Sequence, residues 1–149
     1  MIQTAEALTD LYEADETAWL EAMAELIAEG KQDEVDYAHL QEYLTDMANR
    51  DKREVESRLS VLMMHVLKWT HQKKKRSKSW RRTIVNQRRE LTKMLKSGVL
   101  RKHAGDALAA VYRDAVDDAV LETGLPTTEF PRACPYTVQM LLADDLLDR

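Results

Sequence analysis

Apolar residues recur every three or four positions along most of the chain, which is the spacing of one face of an α-helix. The clearest stripe joins Val55, Leu59, Leu62, Val66 and Trp69, and it predicts a helix in the middle of the sequence. No segment shows the alternation of apolar and polar residues that is typical of a half-buried strand. The pattern therefore predicts an all-α fold.

Glycine, proline and capping residues divide the stripes into separate helices. The predicted helices cover about residues 11–29, 36–49, 55–69, 80–97, 100–123 and 137–147. Ser77 or Ser79 is expected to cap the fourth helix, and Gly98 is expected to end it. Because neither glycine nor proline occurs between Lys31 and Ser97, the second and third helices either bend near residues 49–51 or form one helix.

These elements predict an antiparallel helical bundle built on a long helical hairpin. A proline-rich segment, residues 129–136, precedes the short terminal helix, and Phe130 and Tyr136 are expected to anchor it on the bundle. With 149 residues, the chain is long enough to bury one core, so we predict a single helical domain over residues 1–149.

The composition is typical of a soluble globular protein, with 44% apolar and 32% charged residues. The longest apolar run, residues 61–67, is too short to cross a bilayer, and no secretion signal is apparent at the N-terminus. The single cysteine, Cys134, excludes an internal disulfide and suits a reducing compartment. We therefore expect a cytoplasmic protein without membrane contact.

Charge is strongly segregated along the chain. Residues 1–50 hold 13 acidic and 2 basic residues, residues 51–104 hold 4 and 17, and residues 105–149 hold 9 and 3. Because these blocks nearly cancel, we favour acidic helices that neutralise a basic hairpin within the fold. The alternative is an exposed basic face that binds nucleic acid.

The basic residues are densest where the third helix gives way to the fourth. Lysines at positions 73, 74, 75 and 78 and arginines at 76, 81 and 82 surround Trp80. Cations next to aromatic rings suit single-stranded nucleic acid, but Trp80 shares a stripe with Ile84 and Leu91 and is expected to point inward. A solvated bend without a function is the other interpretation, since basic residues also favour the end of the preceding helix.

Polar residues on the apolar stripes are a second candidate. Gln87 lies in the centre of the fourth stripe with Arg88 at its edge, and His65 borders the third stripe, four residues before Trp69. A buried amide without a partner costs about 1–3 kcal/mol. These residues therefore either fix the register of the helices or line a pocket, with His65 as acid or base and Arg88 orienting an anionic substrate.

Metal and cofactor sites are not expected. Helical bundles that bind two metal ions use a Glu-x-x-His spacing, which is absent, and no two of the 4 histidines are three or four residues apart. The chain also lacks the glycine-rich loops that bind nucleotides. We predict no metal and no cofactor.

Several of these positions together form a recognisable signature. It comprises Ser57, Arg58, Leu59, His65, Lys68, Trp69, Gln72, Arg76, Ser77, Ser79, Trp80, Thr83, Ile84, Gln87 and Arg88. Further matches are Tyr12, Asp15, Trp19, Gly30, Tyr112, Ala115, Glu122, Thr123, Gly124, Leu125, Phe130, Pro131, Cys134, Pro135 and Tyr136. In this spacing the chain resembles the bacterial domain-of-unknown-function family 29. The resemblance implies an all-helical cytoplasmic bacterial domain with no established activity.

We expect a non-enzymatic interaction module whose basic bend binds an acidic protein partner. Self-association through a helix face is also expected, and nucleic-acid binding or an enzyme of unknown reaction is the alternative. The residues predicted to bind are His65, Trp69, Arg76, Ser77, Trp80, Arg81, Gln87 and Arg88. Among them, Arg76 and Arg81, with Lys78, are expected to contact the anionic partner, while the tryptophans set the hairpin.

Overall fold

A computed structural model describes residues 4–148 of the chain, with the backbone alone for Asp144. Helices dominate and no strand occurs among these residues, which confirms the all-α class. The α-helices are α1 (Ala5–Ala14), α2 (Glu16–Ala28), α3 (Tyr37–His71), α4 (Lys78–Met94), α5 (Gly98–Thr123) and α6 (Val138–Leu142). Contacts divide the chain into two compact units, residues 1–49 and residues 50–149, and the single domain stays a prediction.

The first unit begins with two helices where the sequence predicted one over residues 11–29. Asp15 breaks the helix, because its backbone leaves the helical region at φ −153° and ψ 86°. Its side chain accepts a hydrogen bond from the Ala18 amide at 3.1 Å and so caps α2. Thr4 caps α1 in the same way, through the amide of Ala7. The predicted single helix is therefore wrong, although aspartate is a common capping residue.

The core of the first unit surrounds Trp19, which is completely buried. The indole nitrogen of Trp19 donates to the Asp36 carboxylate at 3.3 Å, and the same carboxylate accepts from Nδ1 of His39 at 2.7 Å. Tyr12 packs edge-on against Trp19, with ring centroids 4.7 Å apart. Asp36 also accepts from the backbone amide of His39 and thereby caps α3. One carboxylate thus fixes both the core indole and the start of the longest helix.

The third helix is continuous over 35 residues, so the second and third predicted helices are one. Helical structure continues through residues 49–51, where no glycine or proline interrupts the backbone hydrogen bonds. Residues 44–54 of this helix contain no buried side chain. α3 begins in the first unit and ends in the second.

The second unit is built on an up-down-up arrangement of α3, α4 and α5. Contacts from α3 to α4 pair Lys68 with Trp80 and Arg58 with Gln87, so these two helices run antiparallel. Between α3 and α5, Lys68 meets Glu122. The fully buried side chains Leu59, Leu62, Met63, Leu67, Ile84, Leu91 and Ala115 form the core between the three helices. The predicted helical hairpin is therefore present.

Two predicted ends differ from the structure. Gly98 does not end the fourth helix: α4 ends at Met94, and Gly98 is the first residue of α5, which Ser97 caps through the amide of Leu100. The terminal helix is shorter than predicted, because α6 ends at Leu142 and a 3-10 helix follows at Asp144–Asp148. The extended backbone of Ala143, at ψ 145°, separates the two.

The segment between α5 and α6 is held on the second unit by aromatic residues. Gly124 ends α5 at φ 72°, a left-handed conformation that glycine adopts without strain. Phe130 is buried, and the hydroxyl of Tyr112 donates to the carbonyl of Pro131 at 2.5 Å. Burial raises the pKa of the Cys134 thiol, and its Sγ donates to the Tyr136 carbonyl. The cysteine is therefore a poor nucleophile at neutral pH.

No helix in the described part of the chain is both long enough and apolar enough to cross a membrane.

We expect Asp36→Ala to destabilise the first unit selectively, by about 1–3 kcal/mol, because it removes a helix cap and leaves the buried indole of Trp19 without its acceptor. Burial raises the pKa of Asp36, but hydrogen bonds from His39 and Trp19 outweigh it and lower the pKa below 3.8. The stabilisation is therefore present above pH 3.8 and is lost as the pH falls through the folded value.

Hydrogen exchange measured by mass spectrometry at neutral pH resolves the two units. Peptides from α1 and α2 should exchange faster in Asp36→Ala, whereas peptides from α5 should keep their protection. Asp10→Ala, which removes an exposed carboxylate from α1, is the matched control and should change neither. Equal acceleration in both variants would contradict the role assigned to Asp36.

Candidate interaction site at the helical bend

The turn between α3 and α4 is a defined structure rather than a loose loop. After α3 ends at His71, a single 3-10 turn, Lys73–Lys75, reverses the chain. Of the two serines predicted as caps, Ser77 caps α4 by accepting from the amide of Trp80 at 3.1 Å. We call the six exposed cations on this turn and on the start of α4 the basic bend; they are Lys73, Lys74, Lys75, Lys78, Arg81 and Arg82.

Arg76 and Trp69 build the turn. The Nε of Arg76 donates to the backbone carbonyl of Trp69 at 2.8 Å, which satisfies a carbonyl near the end of α3. The guanidinium carbon lies 4.6 Å from the centre of the Trp69 ring, within the range of a cation–π contact. Both residues were predicted to take part in binding, and the structure uses both to hold the two helix ends together.

The basic bend carries no counter-charge of its own. None of its six cations forms an ion pair with a carboxylate among the described residues of the second unit. Lys78 and Arg81 lie in the first turn of α4, which is the positive end of the helix dipole. That turn contains no acidic residue to offset their charge. Within the second unit, ion pairs therefore do not neutralise the bend, whereas neutralisation by the acidic residues 1–50 stays a prediction. The bend exposes positive charge that its own unit does not balance.

A shallow cavity adjoins the lysines. It has a volume of about 440 Å³ and is lined by Thr70, His71 and Gln72 at the end of α3, by Lys73–Lys75, and by Leu125. The rings of His71 and Phe130 pack edge-on, with their centroids 5.1 Å apart. The bend thus combines cations with a small, partly apolar depression.

A buried ammonium group lies next to the bend. Lys68 is only 7% exposed, and its Nζ donates to the Glu122 carboxylate of α5 at 2.5 Å. The same Nζ lies 4.6 Å from the centre of the Trp80 ring on α4. Because a buried charge without a partner is very costly, these two contacts are what allow lysine at this position. Lys68 therefore links α3, α4 and α5.

His65 lies one turn before Lys68 and is half-buried. Its Nδ1 lies 2.8 Å from the carbonyl of Val61, and since a carbonyl can only accept, the ring nitrogen donates. Burial lowers the pKa of His65, and the nearby Lys68 charge lowers it further, against the opposing effects of the Val61 bond and Glu122. His65 is therefore predominantly neutral at pH 7.

The three residues of the predicted pocket take different partners. His65 bonds within α3, the Gln87 amide oxygen accepts from Arg58 at 3.2 Å, and buried Arg88 donates to the carbonyl of Ala143 at 3.0 Å. Gln87 thus joins α3 to α4, and Arg88 joins α4 to the end of α6. These contacts match the alternative that polar residues on the stripes fix helix register.

Lys68 and Glu122 are missing from the residues predicted to bind, although both carry the family resemblance. Lys68 interrupts an otherwise apolar stretch of α3, the same anomaly that drew attention to Gln87. The position of Lys68 could therefore have been recognised as unusual from the sequence. Its partner Glu122 could not, because it is 54 residues away. No cluster of three or more metal-ligating side chains occurs among the side chains that the structure describes.

Together these features define an all-α protein that presents a structured basic turn. The family model for the Domain of unknown function DUF29 matches residues 11–147, nearly the whole chain. The protein therefore belongs to the DUF29 family, and the resemblance seen in the sequence is confirmed. No curated protein and no solved structure matches the chain.

Glu122→Gln should cost about 1–2 kcal/mol of unfolding free energy, because it leaves the Lys68 ammonium buried beside a neutral amide. The loss stays below the ~3–5 kcal/mol of a fully buried pair, since the Glu122 side chain is 48% exposed. Lys68→Met should cost much less, because it removes the buried charge and leaves only the Glu122 carboxylate, which is half-exposed and can be solvated by water. Urea denaturation of both variants and of the double variant measures the coupling.

Glu90→Gln provides the control, because Glu90 pairs with Lys93 on the surface of α4 and should contribute less than ~1 kcal/mol. Equal losses in Glu122→Gln and Glu90→Gln would show that the Lys68 pair is an ordinary surface contact.

The pH dependence of stability should contain a contribution from His65. Since its folded pKa lies below 6.5, the unfolded chain binds more protons and stability falls as the pH drops below 6.5 towards the folded value. In His65→Gln this part of the slope should disappear, whereas all other titrating groups remain. Unfolding free energies of both proteins between pH 7.5 and pH 5, from urea titrations, test this. Parallel curves would refute the assignment.

Proposed function

We propose that the protein is a non-enzymatic interaction module that uses the basic bend to bind an acidic segment of another protein. The observation that supports this is the group of six exposed cations that no carboxylate in the described part of the second unit balances. The proposal includes a bacterial cytoplasmic setting, for which the family resemblance and the single cysteine are the support. Self-association stays a prediction.

Electrostatics favour a partner with several negative charges. The six cations repel one another, and those on α4 are also repelled by the positive end of its helix dipole. A bound anion lowers the energy of both repulsions. Each exposed ion pair contributes only about 0.2–1 kcal/mol. A single carboxylate would therefore bind weakly, whereas an acidic segment that meets several cations at once would bind usefully.

The aromatic residues favour a protein over a nucleic acid. Binding of single-stranded nucleic acid relies on bases that stack on exposed rings. Trp69 is 8% exposed and is covered by Arg76, while Trp80 is partly buried against the core and has Lys68 on its ring. Neither offers an open platform, so nucleic acid is left with phosphate contacts. The depression next to Leu125 suits an apolar side chain of a peptide.

The variant with Lys73, Lys74 and Lys75 all changed to glutamine tests the proposal. Intrinsic tryptophan fluorescence is titrated with a blocked acidic peptide of alternating aspartate, glutamate and leucine, and separately with an oligothymidine of equal charge. The substitutions should weaken peptide binding about tenfold, because they remove three pairs of modest strength. A matched control changes Lys93, Lys96 and Lys102, also exposed lysines of the second unit, to glutamine and should retain affinity.

Each outcome decides between the candidate functions. Peptide binding that the bend substitutions weaken and the control substitutions spare supports the proposal. Tighter binding of the oligothymidine, with a steep dependence on salt, would replace it by nucleic-acid binding. Absence of binding to either probe at low salt would overturn it.

A further inference from the structure

The second unit holds a larger cavity between α5 and the segment that follows it. Its volume is about 590 Å³, within the ~300–1,000 Å³ range of small-molecule sites. Val116 and Tyr112 of α5 form one side, and Phe130 and Pro131 form the other. We propose that this cavity binds a small organic monoanion with a flat apolar body, such as an aromatic carboxylate or sulfonate.

The apolar wall is fixed before any ligand arrives. Tyr112 is 2% exposed, and its hydroxyl donates to the Pro131 carbonyl across the cavity wall. Burial raises the pKa of Tyr112, so the phenol keeps the proton that this bond needs. Phe130 is 5% exposed and packs edge-on with His71. A wall held in this way loses little conformational freedom when a ligand binds, which favours affinity.

The charged groups at the cavity select the sign of the ligand. Arg113 of α5 and Arg132 of the following segment both line the cavity, and neither forms an ion pair or a hydrogen bond among the described residues. Asp117, one turn after Arg113, also lines it and is likewise unpaired within the described chain. The net charge of the lining is therefore +1. A planar guanidinium suits a carboxylate or sulfonate, which offers several oxygens.

A matched pair of fluorescent probes tests the site. Anilinonaphthalene sulfonate carries an apolar ring system and one negative charge, and N-phenylnaphthylamine has the same rings without the charge. We expect both to bind the 149-residue chain, with the sulfonate the tighter of the two. Fluorescence titration of each probe yields its dissociation constant.

Charge substitutions should affect the two probes differently. Arg113→Gln and Arg132→Gln should each weaken binding of the sulfonate about two- to fivefold, and Asp117→Asn should strengthen it by a similar factor, as expected for exposed charges. None of the three substitutions should change the affinity for the neutral probe by more than the scatter between repeated titrations. Because all three positions are exposed, these variants are expected to fold.

Two further variants separate this cavity from other sites. Thr128→Trp places a large side chain at an exposed lining position and should weaken both probes. The Lys73, Lys74 and Lys75 to glutamine variant should leave both affinities unchanged. If the sulfonate responds only to the lysine substitutions, or if the arginine and aspartate variants do not shift its affinity in opposite directions, the cavity is not an anion site.

Discussion

The buried ammonium of Lys68 is the constraint on which the arrangement of the second unit depends. Apolar stripes repeat every three or four residues and therefore specify one register less sharply than a buried polar contact does. A charge that is 7% exposed does not tolerate a shift of register, since it must stay with Glu122 on α5 and with the Trp80 ring on α4. Lys68 therefore selects one register among the packings that the apolar residues allow.

The fixed register determines the turn. With α3 and α4 held at Lys68 and Trp80, few residues remain to reverse the chain. A single 3-10 turn, followed by Arg76 at φ −53° and ψ 133°, completes the reversal. Arg76 then has to satisfy a carbonyl at the end of α3 and cover Trp69, so its cation is used internally. Lys73–Lys75 of the same turn make no such internal contacts and remain exposed.

The sequence predicted the parts of this arrangement that depend on local spacing. The stripe containing Leu59 and Leu62 identified α3, and Ser77 was one of two serines predicted to cap α4, because capping acts over three residues. The break at Asp15 was missed, since no glycine or proline marks it and the alanine-rich stripe continues across it. Contacts over long sequence distances carry no local signal, which is why the partner of Lys68 was not predicted.

The roles of the bend residues also follow from this division. Trp69, Arg76, Ser77 and Trp80, which carry the resemblance to the family, form the turn itself through a stack, a carbonyl bond and a helix cap. Lys73–Lys75 lie outside that signature, are exposed and make no ion pair within the described part of the second unit. Surface substitutions of this kind change stability little. The shape of the bend and its charge therefore depend on different residues, so the charge can change without altering the fold that presents it.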